Sequence, residues 1–267
     1  MTLASFAAAL LFVAVAMSAS MRLATWIERR TGNSGWIDVV WTFGLGATGV
    51  AGALLPFGDG PLARRLFVAA LVTAWALRLG LHIAGRTTGI SDDPRYARMK
   101  RDWGAQAAGK MARLLQLQAF ASIPLATGII LAAHNPAAFG QMQDWLGLAL
   151  FLAGITGGRI ADRQLRTFAR SDGGGVCDQG LWAYSRHPNY FFECVLWCAY
   201  AVIASGAAYA LGWLAWLAPA AITLLLVRIS GIPPLEEHML AKHGDAYRDY
   251  QGRTSAFIPL PPKGVGP

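Results

Sequence analysis

The residues most suited to chemistry fall in the second half of the chain. Asn189, Glu193 and Trp197 recur at spacings of four, which stacks them on one face of a helix. A carboxylate one turn inside an apolar helix is costly unless it meets a cavity or a partner, so Glu193 is a candidate functional residue, with a buried pair to a neighbouring arginine as the plainer alternative. The stretch before it, Gly180 to Tyr190, carries Tyr184, Arg186 and His187 ahead of Pro188. Proline suits a first helical turn, so Ser185 or His187 is expected to cap a helix that starts there. Unpaired N–H groups and the dipole at such an end attract phosphate, and Arg186 stands beside them. Upstream lie Arg163, Arg166 and Arg170, then a glycine run, Gly173 to Gly175, expected to be flexible. Downstream, Pro233 and Pro234 turn the chain before Glu236 and Glu237, and Tyr247, Tyr250 and Arg253 follow. The two tyrosines serve equally well as interfacial belt residues.

A second set lies nearer the N-terminus. Arg78 and His82 are four apart and share a helix face, and Asp38 could orient His82 or, if desolvated and protonated, donate a proton itself. A structural Asp38–Arg78 ion pair is the alternative. Other motifs fail on context. Gly44, Gly46 and Gly49 match a dinucleotide fingerprint letter for letter, yet they sit inside an apolar run, where small residues let helices approach closely. Gly104 to Lys110 resembles a phosphate loop, but Met111 stands where Ser or Thr must hold the metal. The five histidines include no pair three or four apart, so no metal site is expected. No Gly-x-Ser-x-Gly elbow supports a serine hydrolase.

The elements that must position these residues are membrane helices. The chain has 267 residues, 55% of them hydrophobic and only 14% charged, with mean hydropathy +0.39. That is too apolar for an ordinary soluble domain. Apolar runs able to cross about 30 Å of hydrocarbon fall at Leu3 to Met21, Trp36 to Leu55, Leu66 to Ala84, Leu117 to Ala133, Trp145 to Ile160, Tyr190 to Leu211 and Gly212 to Val227. Seven transmembrane helices in an all-α fold are expected, the last two as a tight hairpin. The first run lacks a preceding basic residue and a clear cleavage site, so it is expected to be retained. Lys and Arg concentrate in alternate loops, whereas the opposite loops carry only Arg64 and Arg65. This predicts an external N-terminus and a cytosolic C-terminus, with the polar loops facing the cytoplasm. The net charge of +8 then marks topology and contact with anionic lipid. No basic stripe with interleaved aromatics on a soluble module supports nucleic-acid binding. Cys177, Cys194 and Cys198 are expected to form no disulfide.

Gly180-Leu181-Trp182 through Glu193 and Trp197, Arg163-Gln164-Leu165-Arg166, and Ser230-Gly231-Ile232-Pro233 with Glu236-Glu237 resemble the uncharacterised bacterial branch (DUF1295) of the steroid 5-alpha-reductase family. Leu77-Arg78-Leu79 with His82, and Asp93-Pro94-Arg95-Tyr96, are similar but less specific. The resemblance implies a seven-helix enzyme of the bacterial inner membrane. It also implies NADPH-dependent reduction of a carbon–carbon double bond conjugated to a carbonyl in a lipid or steroid-like substrate. On that resemblance Arg163, Arg166, Asn189, Glu193 and Trp197 line the cofactor pocket. Tyr184, Arg186, His187, Tyr190, Glu236, Glu237, Tyr247 and Tyr250 complete or close it. The glutamine–glutamate pair and the tyrosine that the steroid reductases place near the substrate carbonyl are missing here. Asp38, Arg78 and His82 are the groups available for that work, so residues 1–116 form the substrate side and residues 117–267 the cofactor-binding half of one membrane domain.

Arg186-His187-Pro188 with Glu236-Glu237 also resembles membrane methyltransferases of the isoprenylcysteine carboxyl type, which use S-adenosylmethionine. That is the alternative enzyme. A non-enzymatic membrane scaffold or lipid transporter explains the helices, but it gives the polar stretch from 162 to 190 no task.

Overall fold

The computed structural model describes residues 1–171 and 174–263, so Gly173 of the expected flexible run lies outside the described residues. Among the described residues there is no strand, only an isolated bridge between Ser185 and Ser255. The helices are α1 (Leu3–Thr31), α2 (Gly35–Leu54), α3 (Leu62–Thr87), α4 (Pro94–Trp103), α5 (Ala107–Ala121), α6 (Ile123–Ala133), α7 (Met142–Ser171), α8 (Pro188–Ala204), α9 (Leu217–Leu224), α10 (Ile232–His243) and α11 (Asp245–Arg253).

Local chemistry sets the ends of these helices. Thr2 caps α1 by accepting from Ser5 N at 3.2 Å, and Gly32 ends it at φ 70°, a conformation glycine adopts without a Cβ clash. Asp93 caps α4 and Pro94 opens it. The apolar run expected as one helix from Leu117 to Ala133 is broken between α5 and α6, because Pro124 has no N–H to continue the ladder.

Five stretches are long and apolar enough to cross a membrane: Leu3–Thr31, Gly35–Leu54, Leu62–Thr87, Pro94–Ala133 and Ala210–His243. The two other expected runs map differently. Trp145 to Ile160 lies within α7, which continues into the polar segment ending at Ser171, and α8 is apolar but only 17 residues long. Gly212 to Val227 is not one regular helix. It passes through a 3-10 segment (Ala210–Trp216), α9 and a π turn (Leu225–Ile229).

The chain forms two compact units, Met1–Trp145 with Tyr200–Ala218, and Leu146–Ala199 with the described part of Pro219–Pro267. In the first of them α5 and α6 pack onto α1, α2 and α3. In the first unit the glycine motif of α2 works by close approach. A Cβ on Gly44 would lie 2.7 Å from Ser20, one on Gly46 2.5 Å from Ala76, and one on Gly49 2.9 Å from Ile129.

Two polar clusters close this unit. In one, the fully buried Arg64 forms a two-pronged pair with Asp144, both bonds 2.8 Å, and also donates to the carbonyls of Asn135, Ala137 and Ala138. Arg65 caps the end of α2 by donating to the carbonyls of Ala53 and Leu54. In the other cluster, Asn33 donates to the carbonyls of Thr87 and Ile90, Ser34 N donates to Asp92, and Lys100 pairs with Glu28 and Asp92 at 3.2 and 2.8 Å. This ties the end of α1 and the start of α2 to the loop between α3 and α4.

Candidate functional site

In the second unit the start of α8 is built by neighbouring backbone. Gly180 turns the chain at φ 60°, and a Cβ there would lie 2.4 Å from the Gln164 amide, whose Oε1 accepts from Leu181 N at 3.0 Å. Trp182 then donates its indole N–H to the Ala161 carbonyl at 3.0 Å, fixing the loop on α7. Ser185 accepts from His187 N at 3.1 Å and donates to the Phe257 carbonyl at 2.8 Å. Capping and attachment of the C-terminal segment thus meet in one hydroxyl.

Arg186, expected beside an anion, directs its donors at protein acceptors: Glu236 Oε1 at 2.7 Å and the carbonyls of Gln251 and Thr254 at 3.1 and 2.6 Å. His187 is buried, with Nε2 3.1 Å from the same carboxylate oxygen and its ring stacked on Tyr190 at 5.5 Å. Its Nδ1 has no hydrogen-bond partner among the described residues. Gln251 donates to the other Glu236 oxygen at 2.9 Å. Glu236 therefore joins α8, α10 and α11 through three donors. Tyr250 donates to the Trp182 carbonyl at 2.5 Å, and its ring meets Tyr247 at 5.8 Å. Both tyrosines are buried. Burial, and then the Glu236 charge, push the Tyr247 hydroxyl up to about 12, so it remains a neutral donor at physiological pH.

The predicted residues separate into two groups. Arg186, His187, Tyr247 and Tyr250 border a cavity of about 310 Å³, together with Trp182, Cys177 and apolar side chains of α7 and α10. Asn189, Glu193 and Trp197 form a separate polar row on α8, with Trp197 donating to Glu193 at 3.0 Å and Asn189 within 3.5 Å of Asp162 on α7. Arg163, Arg166 and Glu237 are exposed, as is Tyr184, whose carbonyl accepts from Leu260 N at 3.0 Å. No cluster of metal-ligating side chains occurs among the described residues, and the three cysteines are free.

Sequence reasoning missed Lys242 and His243, which also border the cavity. A signal was present. Leu235, Met239, Lys242 and His243 recur at four, seven and eight residues, so they share one face of α10.

In the first unit, Asp38 accepts from Arg95 at 2.5 Å and from the Tyr96 hydroxyl at 3.2 Å, while Gln118 donates to that hydroxyl at 3.2 Å. Arg95 also pairs with Asp93 at 3.0 Å. Burial alone would raise the Asp93 carboxyl, but hydrogen bonds and charge from Arg95 outweigh it and hold it below its ordinary value. Arg78 and His82 lie half-buried on α3. The partners found for Asp38 are thus residues of α4, from the Asp93-Pro94-Arg95-Tyr96 stretch.

A family described as protein of unknown function (DUF1295) matches residues 24–254. An uncharacterised protein of the fission yeast Schizosaccharomyces pombe is 26% identical over 262 residues, covering 86% of this chain and 73% of that protein. No solved structure matches. Because the family match runs from α1 through α11 and takes in every candidate residue of both units, the chain belongs to the DUF1295 family.

Proposed function

We propose that this chain is an integral membrane reductase, distantly related to the steroid 5-alpha-reductases, that uses NADPH to reduce an activated carbon–carbon double bond in a lipid or steroid-like substrate. The observation that carries the reading is the character of the second-unit cavity. Its wall holds four aromatic rings, Phe168, Trp182, Tyr247 and Tyr250, and the basic side chains Arg186, His187, Lys242 and His243, with no carboxylate among the described lining residues and with Arg186 paired to Glu236. Such a wall suits the polyanionic nicotinamide dinucleotide. It suits S-adenosylmethionine less, because that cofactor brings a sulfonium cation.

When bound, NADPH supplies hydride to the beta carbon of the enone. The chain's own task is to hold the cofactor and to stabilise charge that develops on the carbonyl oxygen. Asn189, Glu193, Trp197 and Arg166 are assigned to the cofactor, with Glu193 kept in place by the Trp197 indole. Arg78 and His82 are assigned to the carbonyl. Asp38, which accepts from both Arg95 and Tyr96, is assigned the part of an orienting carboxylate.

In this proposal α1, α2, α3, the α5–α6 pair, α7, α8 and the α9 region are the seven spans. The N-terminus is external, and the polar loops and C-terminus face the cytoplasm of a bacterial inner membrane. The two arginines of the opposite loops do not count against this orientation once their partners are considered. Arg64 is neutralised by Asp144 and Arg65 caps α2, so both are consumed by structure rather than left to bias the loop.

One observation favours the methyltransferase as runner-up: its two motifs, Arg186-His187-Pro188 and Glu236-Glu237, are joined through the Glu236 carboxylate. Equilibrium titration of the purified full chain with NADPH and with S-adenosylmethionine separates the readings. Tight uptake of NADPH is expected. Uptake of S-adenosylmethionine with no response to NADPH would overturn the reductase.

A further inference from the structure

Leu165, Phe168 and Ala169 turn one face of α7 to the second-unit cavity, at spacings of three and four. Arg163, Arg166 and Arg170 repeat at the same spacings on another, exposed face, and none of them borders the cavity. The three arginines nearest in sequence to the polar loop therefore do not line this cavity. Its basic side chains come from elsewhere. Arg186 is already neutralised by Glu236 at 2.7 Å. Lys242 and His243, in the last turn of α10, are held in no ion pair among the described residues.

We infer that this cavity receives the adenosine end of the cofactor and that Lys242 and His243 read its 2′-phosphate. The inference rests on the reductase reading and deepens it. A volume of about 310 Å³ stands at the small end of the roughly 300–1,000 Å³ usual for small-molecule sites, room for a nucleoside with its phosphate rather than for a whole dinucleotide. Aromatic side chains border it, the half-buried Phe168 and the more deeply set Trp182, Tyr247 and Tyr250, and rings of this kind are what a purine stacks on. The tyrosines are fixed in place, Tyr250 by the Trp182 carbonyl. A dianionic phosphate needs cations with no competing carboxylate, and Lys242 is an exposed ammonium free to swing over the cavity mouth.

The test is isothermal titration of the full chain with adenosine 2′,5′-bisphosphate and adenosine 5′-monophosphate as probes, and with NADPH as the parent ligand. Wild-type protein should hold the bisphosphate roughly tenfold or more tighter than the monophosphate, the margin of one charge-assisted contact. The double variant K242Q/H243N should lose that margin while still binding the monophosphate. R170Q should keep it. A margin that survives in K242Q/H243N, or vanishes in R170Q, would overturn the assignment. Wild-type protein that binds NADPH but shows no margin would overturn it and leave the reductase standing. Wild-type protein that takes up neither NADPH nor the bisphosphate would bring down both.

Discussion

Arg186 separates two accounts of the polar loop, and replacing it by alanine tests them. If Arg186 meets an anion directly, Arg186→Ala weakens cofactor binding and leaves the apo-protein unchanged. The geometry assigns it another role, as a strut: its guanidinium reaches Glu236 at 2.7 Å and the carbonyls of Gln251 and Thr254 at 3.1 and 2.6 Å, with side chains only 10% and 16% exposed at the ion pair. Removing one partner of a buried pair costs about 3–5 kcal/mol. The low end applies here, because Glu236 keeps His187 and Gln251 as donors. About 3 kcal/mol corresponds to roughly a hundredfold rise in local opening. Hydrogen exchange of the unliganded full chain, followed on peptides spanning residues 245–258, should show that loss of protection. Arg186→Lys should fall between, since it keeps the charge but not the fork. Unchanged exchange in Arg186→Ala together with lost NADPH binding would refute the strut and restore the direct anion contact.

A cysteine placed at Gly174 should react with an impermeant reagent only from the cytoplasmic side, and labelling from outside intact cells would invert the proposed topology. Arg166→Ala and Asn189→Ala should each weaken NADPH binding about ten- to a hundredfold, as expected for lost charged or polar contacts, while direct titration of folded variants that bind normally would remove those assignments. Gly180→Ala should destabilise the protein by about 1–2 kcal/mol in thermal melts, because the site holds φ 60° and the new Cβ meets Gln164 at 2.4 Å. A wild-type melting temperature would show that the turn relaxes.

That the chain is helical, with several stretches apolar enough to cross a membrane, was legible because apolar run length is a local property. Where they break was less so. Pro124 marks the α5–α6 interruption by its missing N–H, but nothing local in Gly212 to Val227 announces a 3-10 segment followed by a π turn. The packing role of Gly44, Gly46 and Gly49 was readable, since small residues in an apolar run have few other uses. Arg64 was not. Its type and loop position read as an exposed charge, whereas its partner Asp144 stands 80 residues away and only the folded chain brings them together. The candidate site divides along the same line. The four-residue spacing put Asn189, Glu193 and Trp197 in one row, and they stand so on α8. The part of Glu236 as the carboxylate common to Arg186, His187 and Gln251 depends on contacts across 50, 49 and 15 residues, which no motif encodes.

The same distinction between local spacing and long-range partnering shapes the remaining question, whether the polar residues of the first unit do chemistry or only hold α4 in place. Asp38 is gripped by Arg95 and Tyr96, 57 and 58 residues onward, which is what a structural pin would also do. His82 offers the cleaner experiment. A donor that acts only on a developing oxyanion costs about 100- to 1000-fold in rate when removed, and leaves the ground-state cofactor complex alone. His82→Gln should therefore slow NADPH oxidation by an enone-bearing lipid by about that factor, with NADPH affinity and melting temperature near wild type. Asp38→Asn keeps the size of the side chain but removes the charge that Arg95 meets. If Asp38 orients the substrate-activating groups, turnover should fall in this variant with NADPH affinity preserved. If it is only a pin, the melting temperature and the hydrogen exchange of α4 should change, and the rate per folded molecule should not. Arg95→Met supplies the control, since it frees the carboxylate without deleting it, and should reproduce the α4 effect alone. Full activity in both His82→Gln and Asp38→Asn would remove the first unit from the chemistry and leave the carbonyl donor to be sought elsewhere.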